Sequence, residues 1–99
     1  MLIRTPELGA ALARTLGTAP VALMRGHGDV VAGPSLKEAV FRAVYTEVNA
    51  RLEAEALRLG QGEVEFLNEQ EAAKATATNA GVLLRAWDLW KAKASPAAR

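Results

Sequence analysis

The sequence predicts an α/β chain: a helix, an antiparallel β-hairpin, a long helix and two shorter helices. Three observations predict it. Apolar residues recur at three- and four-residue spacing over 6–16 and 36–59, the period of an α-helix. Two short apolar runs, at 21–24 and 30–32, flank a stretch with two glycines, which is the pattern of a hairpin. Capping signatures precede the helical runs, at Thr5-Pro6-Glu7, Ser35-Leu36-Lys37-Glu38 and Asn68-Glu69-Gln70-Glu71.

The first helix follows from Thr5 as cap, Pro6 at the first helical position and Glu7 at the positive end of the dipole. Leu8, Ala11, Leu12 and Leu16 make its apolar stripe, and Gly17 ends it. Thr18-Ala19-Pro20 is a loop. The strands at 21–24 and 30–32 are joined by Arg25-Gly26-His27-Gly28-Asp29, which places His27 at the bend. Gly33-Pro34 stops the second strand, because proline cannot donate to a ladder.

Ser35 then caps a long helix that runs to about Leu59, with Glu38 reaching back to complete a capping box. Its apolar stripe is Phe41, Val44, Val48, Leu52, Ala56 and Leu59, widened by Leu36, Val40 and Ala43, and this face is expected to be buried. Gly60 closes the helix. Residues 61–67 are a linker with a locally extended stretch at Val64 and Phe66. A third helix is expected over about 69–77, broken by Asn79 and Gly81, and a fourth over 82–91 with Leu83, Trp87 and Trp90. Residues 95–99 read as a disordered tail.

Composition narrows the function. Ninety-nine residues give one domain with a modest core, and much of the 51% hydrophobic fraction is small alanine. A chain of this kind is marginally stable alone, which points to a partner or a missing segment. Twelve basic against eleven acidic residues leave a net charge of +1, without the basic clustering that nucleic-acid binding needs. With no cysteine, neither a disulfide framework nor a thiolate metal site can form. No signal-peptide pattern and no apolar run of membrane-spanning length are present, so a cytoplasmic protein is expected.

His27 is the only histidine and the leading candidate for chemistry. Read from the residues alone, a turn histidine held by a backbone carbonyl is the simpler account than a ligand or acid–base role. A catalytic zinc wants about three protein ligands, and this chain offers one imidazole and no thiolate. No Gly-x-Ser-x-Gly elbow is present. The spacing of Gly26, Gly28 and Gly33 fits no phosphate loop, so these glycines read as conformational. Arg25 is a candidate substrate-binding residue: a guanidinium at the bend suits a carboxylate or phosphate, and an ordinary surface charge is an equal alternative. Glu47 and Arg51 are spaced for a helical ion pair, and Trp87 and Trp90 for packing on one helix face.

The run from Val21 to Val40, with its apolar strand, Gly-His-Gly turn, valine-rich strand, Gly33-Pro34-Ser35 and Glu38-Ala39 helix start, resembles the C-terminal half of the class II aldolase/adducin family. The likeness extends through Phe41, Glu47, Ala50 and Leu52 to Gly60, and back over Leu8-Gly9 to Leu16-Gly17. The resemblance implies that residues 1–94 are the C-terminal portion of such a domain, part of a three-layer α/β/α unit. It implies a divalent metal, with zinc expected, held by three histidines of which His27 is one. The other two, and a catalytic acidic residue, would lie upstream. It also implies carbon–carbon lyase chemistry of aldolase or decarboxylase type on a sugar phosphate or hydroxy acid, and a homo-oligomer, expected to be a tetramer. Nucleic-acid and membrane partners are not expected.

Family domains are about twice this length, as suits a full α/β unit. Met1-Leu2-Ile3-Arg4 resembles an internal stretch, so a fragment that is inactive alone is expected. Gly26 stands where the family usually has asparagine. The alternative is a non-catalytic, adducin-like or truncated interaction module that uses the long helix and the tryptophan helix as its interface.

Overall fold

The computed structural model describes residues 2–95. The expected order is found: α1 (Pro6–Leu16), β1 (Val21–Met24), β2 (Gly28–Val31), α2 (Leu36–Leu59), α3 (Glu69–Ala80) and α4 (Leu83–Ala94). The chain divides into two compact units, 1–46 and 47–99, with the division inside α2. The tail expectation falls on residues that, apart from Ser95, lie outside the described ones.

In the first unit, α1 starts as its sequence dictates. The Thr5 hydroxyl accepts from Leu8 N–H at 3.4 Å, Pro6 opens the helix and Gly17 closes it at φ +53°. β1 and β2 form a two-stranded antiparallel sheet in the register Val21↔Val31, Ala22↔Val30, Leu23↔Asp29 and Met24↔Gly28. The second strand begins at Gly28, two residues earlier than the valine run suggested, because pairing continues up to the turn itself. α1 lies against β1.

Ser35 caps α2 as expected, its Oγ accepting from Glu38 N–H at 3.2 Å. The expected capping box is only half formed, however. The Glu38 carboxylate turns away from Ser35 and accepts from Arg42 Nη2 at 2.6 Å, one helical turn on. A charged donor at i+4 outcompetes a neutral backbone N–H for the carboxylate.

In the second unit, α2 ends in a Schellman arrangement. Gly62 N–H donates to Leu57 C=O at 2.8 Å, and the residue before it, Gln61, takes the left-handed conformation at φ +54°. The left-handed residue is therefore Gln61 and not Gly60. The stretch at Val64 and Phe66 forms no strand. α3 carries the full capping box that its sequence promised: Asn68 Oδ1 accepts from Glu71 N–H and Glu71 Oε2 from Asn68 N–H, both at 3.0 Å. It runs through Asn79 to Ala80, since one asparagine costs a helix only a few tenths of a kcal/mol (roughly 0.7 at most). α4 starts at Leu83 and extends to Ala94, with Trp87 and Trp90 half-buried. The Glu47–Arg51 pair forms on the exposed α2 surface at 2.8 Å.

The burial expectation for α2 is met only in part. Among the described residues only Ala22 is buried, at 7% exposure. Leu36, Leu52 and Leu59 are 71%, 62% and 76% exposed. Val40, Phe41, Val48 and Ala56 are half-buried, so the stripe is covered in part and left open at both ends of the helix.

The Glu7 carboxyl is held below its usual 4.5 first by its own backbone N–H and then by the Thr5 hydroxyl. A depressed folded value means that its contribution to α1 is present above the unfolded value and lost as pH falls through the folded one. A carboxyl ¹³C titration of Glu7 is expected to give a midpoint below 4.5, moving back toward it in Thr5→Ala.

Candidate functional site

The hairpin turn presents the one histidine. His27 N–H donates to Met24 C=O at 3.0 Å, closing a four-residue turn over Met24-Arg25-Gly26-His27. Gly26 occupies its third position at φ +67°, the conformation that a type II turn demands there. A Cβ at Gly26 would meet nothing within 4 Å, so glycine is required by backbone conformation and not by space. That explains why glycine can stand where the resembling family usually has asparagine: asparagine is the other residue that tolerates this region.

The turn leaves Arg25, His27 and Asp29 exposed. Asp29 lies on β2 opposite Leu23, outside the turn. Arg25 forms no ion pair with a carboxylate among the described residues, which leaves it open either to a ligand or to solvent. Ser35 is a helix cap, as expected.

Behind the turn lies a groove of about 440 Å³. Ile3, Leu8, Ala11, Leu12 and Thr15 line one side, and Leu23, Met24, Arg25 and His27 the other. It is an apolar trough with a guanidinium and an imidazole among its lining groups, and its size is that of a small-ligand pocket. The two polar groups stand out in the sequence, but the trough does not, because Ile3 and Leu8 are far from the turn in the chain.

Among the described residues no three His, Cys, Asp or Glu side chains come together to hold a metal ion. His27 is a single presented imidazole, so the described residues do not by themselves complete a metal site. No helix among them is long and apolar enough to cross a membrane.

Arg42 is the residue that sequence reading missed. Its Nη1 donates to Ala32 C=O at 2.6 Å while Nη2 holds Glu38, so α2 grips the hairpin just beyond β2. The i,i+4 spacing of Glu38 and Arg42 was the available signal for half of this. The bond to Ala32, ten residues away, had none.

Comparison with known proteins adds three findings. Residues 1–54 match the family described as Class II Aldolase and Adducin N-terminal domain. The chain is 35% identical over 107 aligned positions to the decarboxylase tropJ of Talaromyces stipitatus, an alignment covering 91% of this chain and 40% of that protein. It is 33% identical to the 3,4-dihydroxyphthalate decarboxylase of a Terrabacter species and 31% identical to that of Arthrobacter keyseri. These alignments cover 74% and 75% of this chain but 30% and 29% of the relatives, so the chain spans well under half the length of each. No solved structure matches the chain significantly.

Proposed function

The chain belongs to the class II aldolase and adducin family, and on that footing we propose that it is the histidine-bearing part of a metal-dependent carbon–carbon lyase of decarboxylase type. The observation that carries this reading is the turn itself: a glycine-dependent bend that holds the only imidazole out of the backbone ladder, inside the matched segment. The relatives' printed names support decarboxylation over the other lyase reactions of the family. They also move the expected substrate from sugar phosphates toward hydroxylated carboxylic acids.

In this reading His27 is one ligand of a divalent metal, zinc being the expected ion, whose chemistry is to polarise an oxygen of the substrate. The remaining ligands are not among the described residues. The chain's own contribution beyond the imidazole is binding. Arg25, exposed and without an acidic partner among the described residues, offers a planar pair of donors to a carboxylate. The apolar trough beside it takes the ring or chain that carries that carboxylate. A non-catalytic interaction module is the second reading, and the exposed apolar face of α2 favours it.

Titrating the chain with 3,4-dihydroxyphthalate and following the Arg25 Nε–Hε resonance tests the binding half. The expected result is a shift at Arg25 and His27 together, weakened at least about tenfold in affinity by Arg25→Met. No shift at either residue would count against the binding half and leave the interaction module, which the exposed apolar face of α2 carries.

A further inference from the structure

We propose that Arg42, aimed by Glu38, is the positioning residue that fixes where the His27 hairpin stands on α2; its functional meaning rests on the reading of His27 above. Both terminal nitrogens of the guanidinium are engaged. Nη1 donates to Ala32 C=O and Nη2 to Glu38 Oε1, each at 2.6 Å, and both side chains are about two-thirds buried, at 33% and 32% exposure. Partial burial shields these bonds from solvent, unlike the exposed Glu47–Arg51 pair.

Ala32 is the point at which the hairpin can be held. Its N–H donates back to Pro20 C=O at 2.9 Å, closing the hairpin at its open end, while its C=O accepts from Arg42. One residue therefore ties the start of β1, the end of β2 and the second turn of α2 together. The next residue, Gly33, runs so close to α2 that a Cβ there would lie 2.9 Å from Ala39 N. His27 sits at the far end of a four-pair ladder. A short ladder moves as a unit, so a tilt at Ala32 is carried to the imidazole.

Lysine keeps the charge but presents its donors from one nitrogen, not from the two separated nitrogens of a planar fork, so it spans the two acceptors less well. Charge alone therefore does not reproduce the clamp. The test compares Arg42→Met, Arg42→Lys and Glu38→Gln in the whole chain by amide hydrogen exchange and by the His27 imidazole resonances. Arg42→Met is expected to speed exchange at the Ala32 amide about tenfold and to shift the His27 resonances, with the amides of α3 and α4 unchanged. Arg42→Lys is expected to recover part of both effects, and Glu38→Gln to show a smaller change in the same direction. Unchanged Ala32 exchange and His27 resonances in Arg42→Met would overturn the proposal. So would faster exchange spread equally over every helix, the mark of a general stabiliser. No metal is present in this test, so a failure of His27 to bind metal leaves its outcome untouched.

Discussion

Gly60→Ala is expected to destabilise the end of α2 by about 3 kcal/mol. The added Cβ would overlap the Glu63 carbonyl oxygen and lie 3.2 Å from both the Ala56 oxygen and the Glu63 carbonyl carbon. All three are backbone atoms, so no side chain can swing aside to relieve the contact. Residues 60–63 must move instead. Their movement threatens the Glu63 N–H bond to Gly60 C=O at 3.0 Å and the Gly62 N–H bond to Leu57 C=O at 2.8 Å. Gly81→Ala is the control, because its Cβ would approach nothing nearer than Thr78 C=O at 3.4 Å, an ordinary contact. Alanine there is expected to be neutral or slightly stabilising. Urea melts followed by circular dichroism at 222 nm check both. Equal midpoints for the two variants would show that the loop after α2 is not held as described.

Gly33→Ala is expected to cost about 2 kcal/mol and to act at the other end of α2. Here the Cβ would meet Ala39 N at 2.9 Å, with Ala39 Cα and Glu38 C at 3.3 Å. The first turn of α2 must retreat from the hairpin exit, and the turn that moves carries Glu38, the partner of Arg42. The two substitutions thus separate by location. Gly60→Ala loosens the second unit, whereas Gly33→Ala loosens the seat of the His27 hairpin. Amide exchange is the measurement that tells them apart. Protection lost at Ala32 and retained over α3 is the expected pattern for Gly33→Ala, and the reverse pattern would contradict it.

Element order was legible in the sequence because local rules decided it. Thr5-Pro6, Asn68…Glu71 and the glycines at 17 and 26 satisfy backbone groups within a few residues of themselves, so their effect can be read from spacing. What was misread involved competition or distance. Glu38 had two suitors, the Ser35 backbone and the Arg42 guanidinium, and the charge at i+4 won. Gly60 resembled a left-handed terminator, but the turn is set one residue later, at Gln61. The α2 stripe was assigned to a core because of its period, yet period says only which residues could be covered together. Leu52 and Leu59 have no cover among the described residues. The candidate site was legible as His27 and Arg25, because a lone imidazole between glycines stands out in the chain. Its setting was not: the trough joins Ile3 to Leu23 across twenty residues of sequence, and Arg42 joins α2 to Ala32. Neither contact leaves a local signature.

Under the proposed function, the turn of β1 and β2 presents His27 as one ligand of a divalent metal. The most direct measurement is a Zn²⁺ titration of the whole chain, with the two imidazole nitrogens of His27 followed by ¹⁵N NMR. The expected result is a progressive shift of one ring nitrogen, saturating only at Zn²⁺ concentrations above about micromolar, as a single imidazole dictates, and no saturable binding in His27→Ala. Zinc binding that leaves the His27 nitrogens unmoved, or that survives His27→Ala, would contradict it.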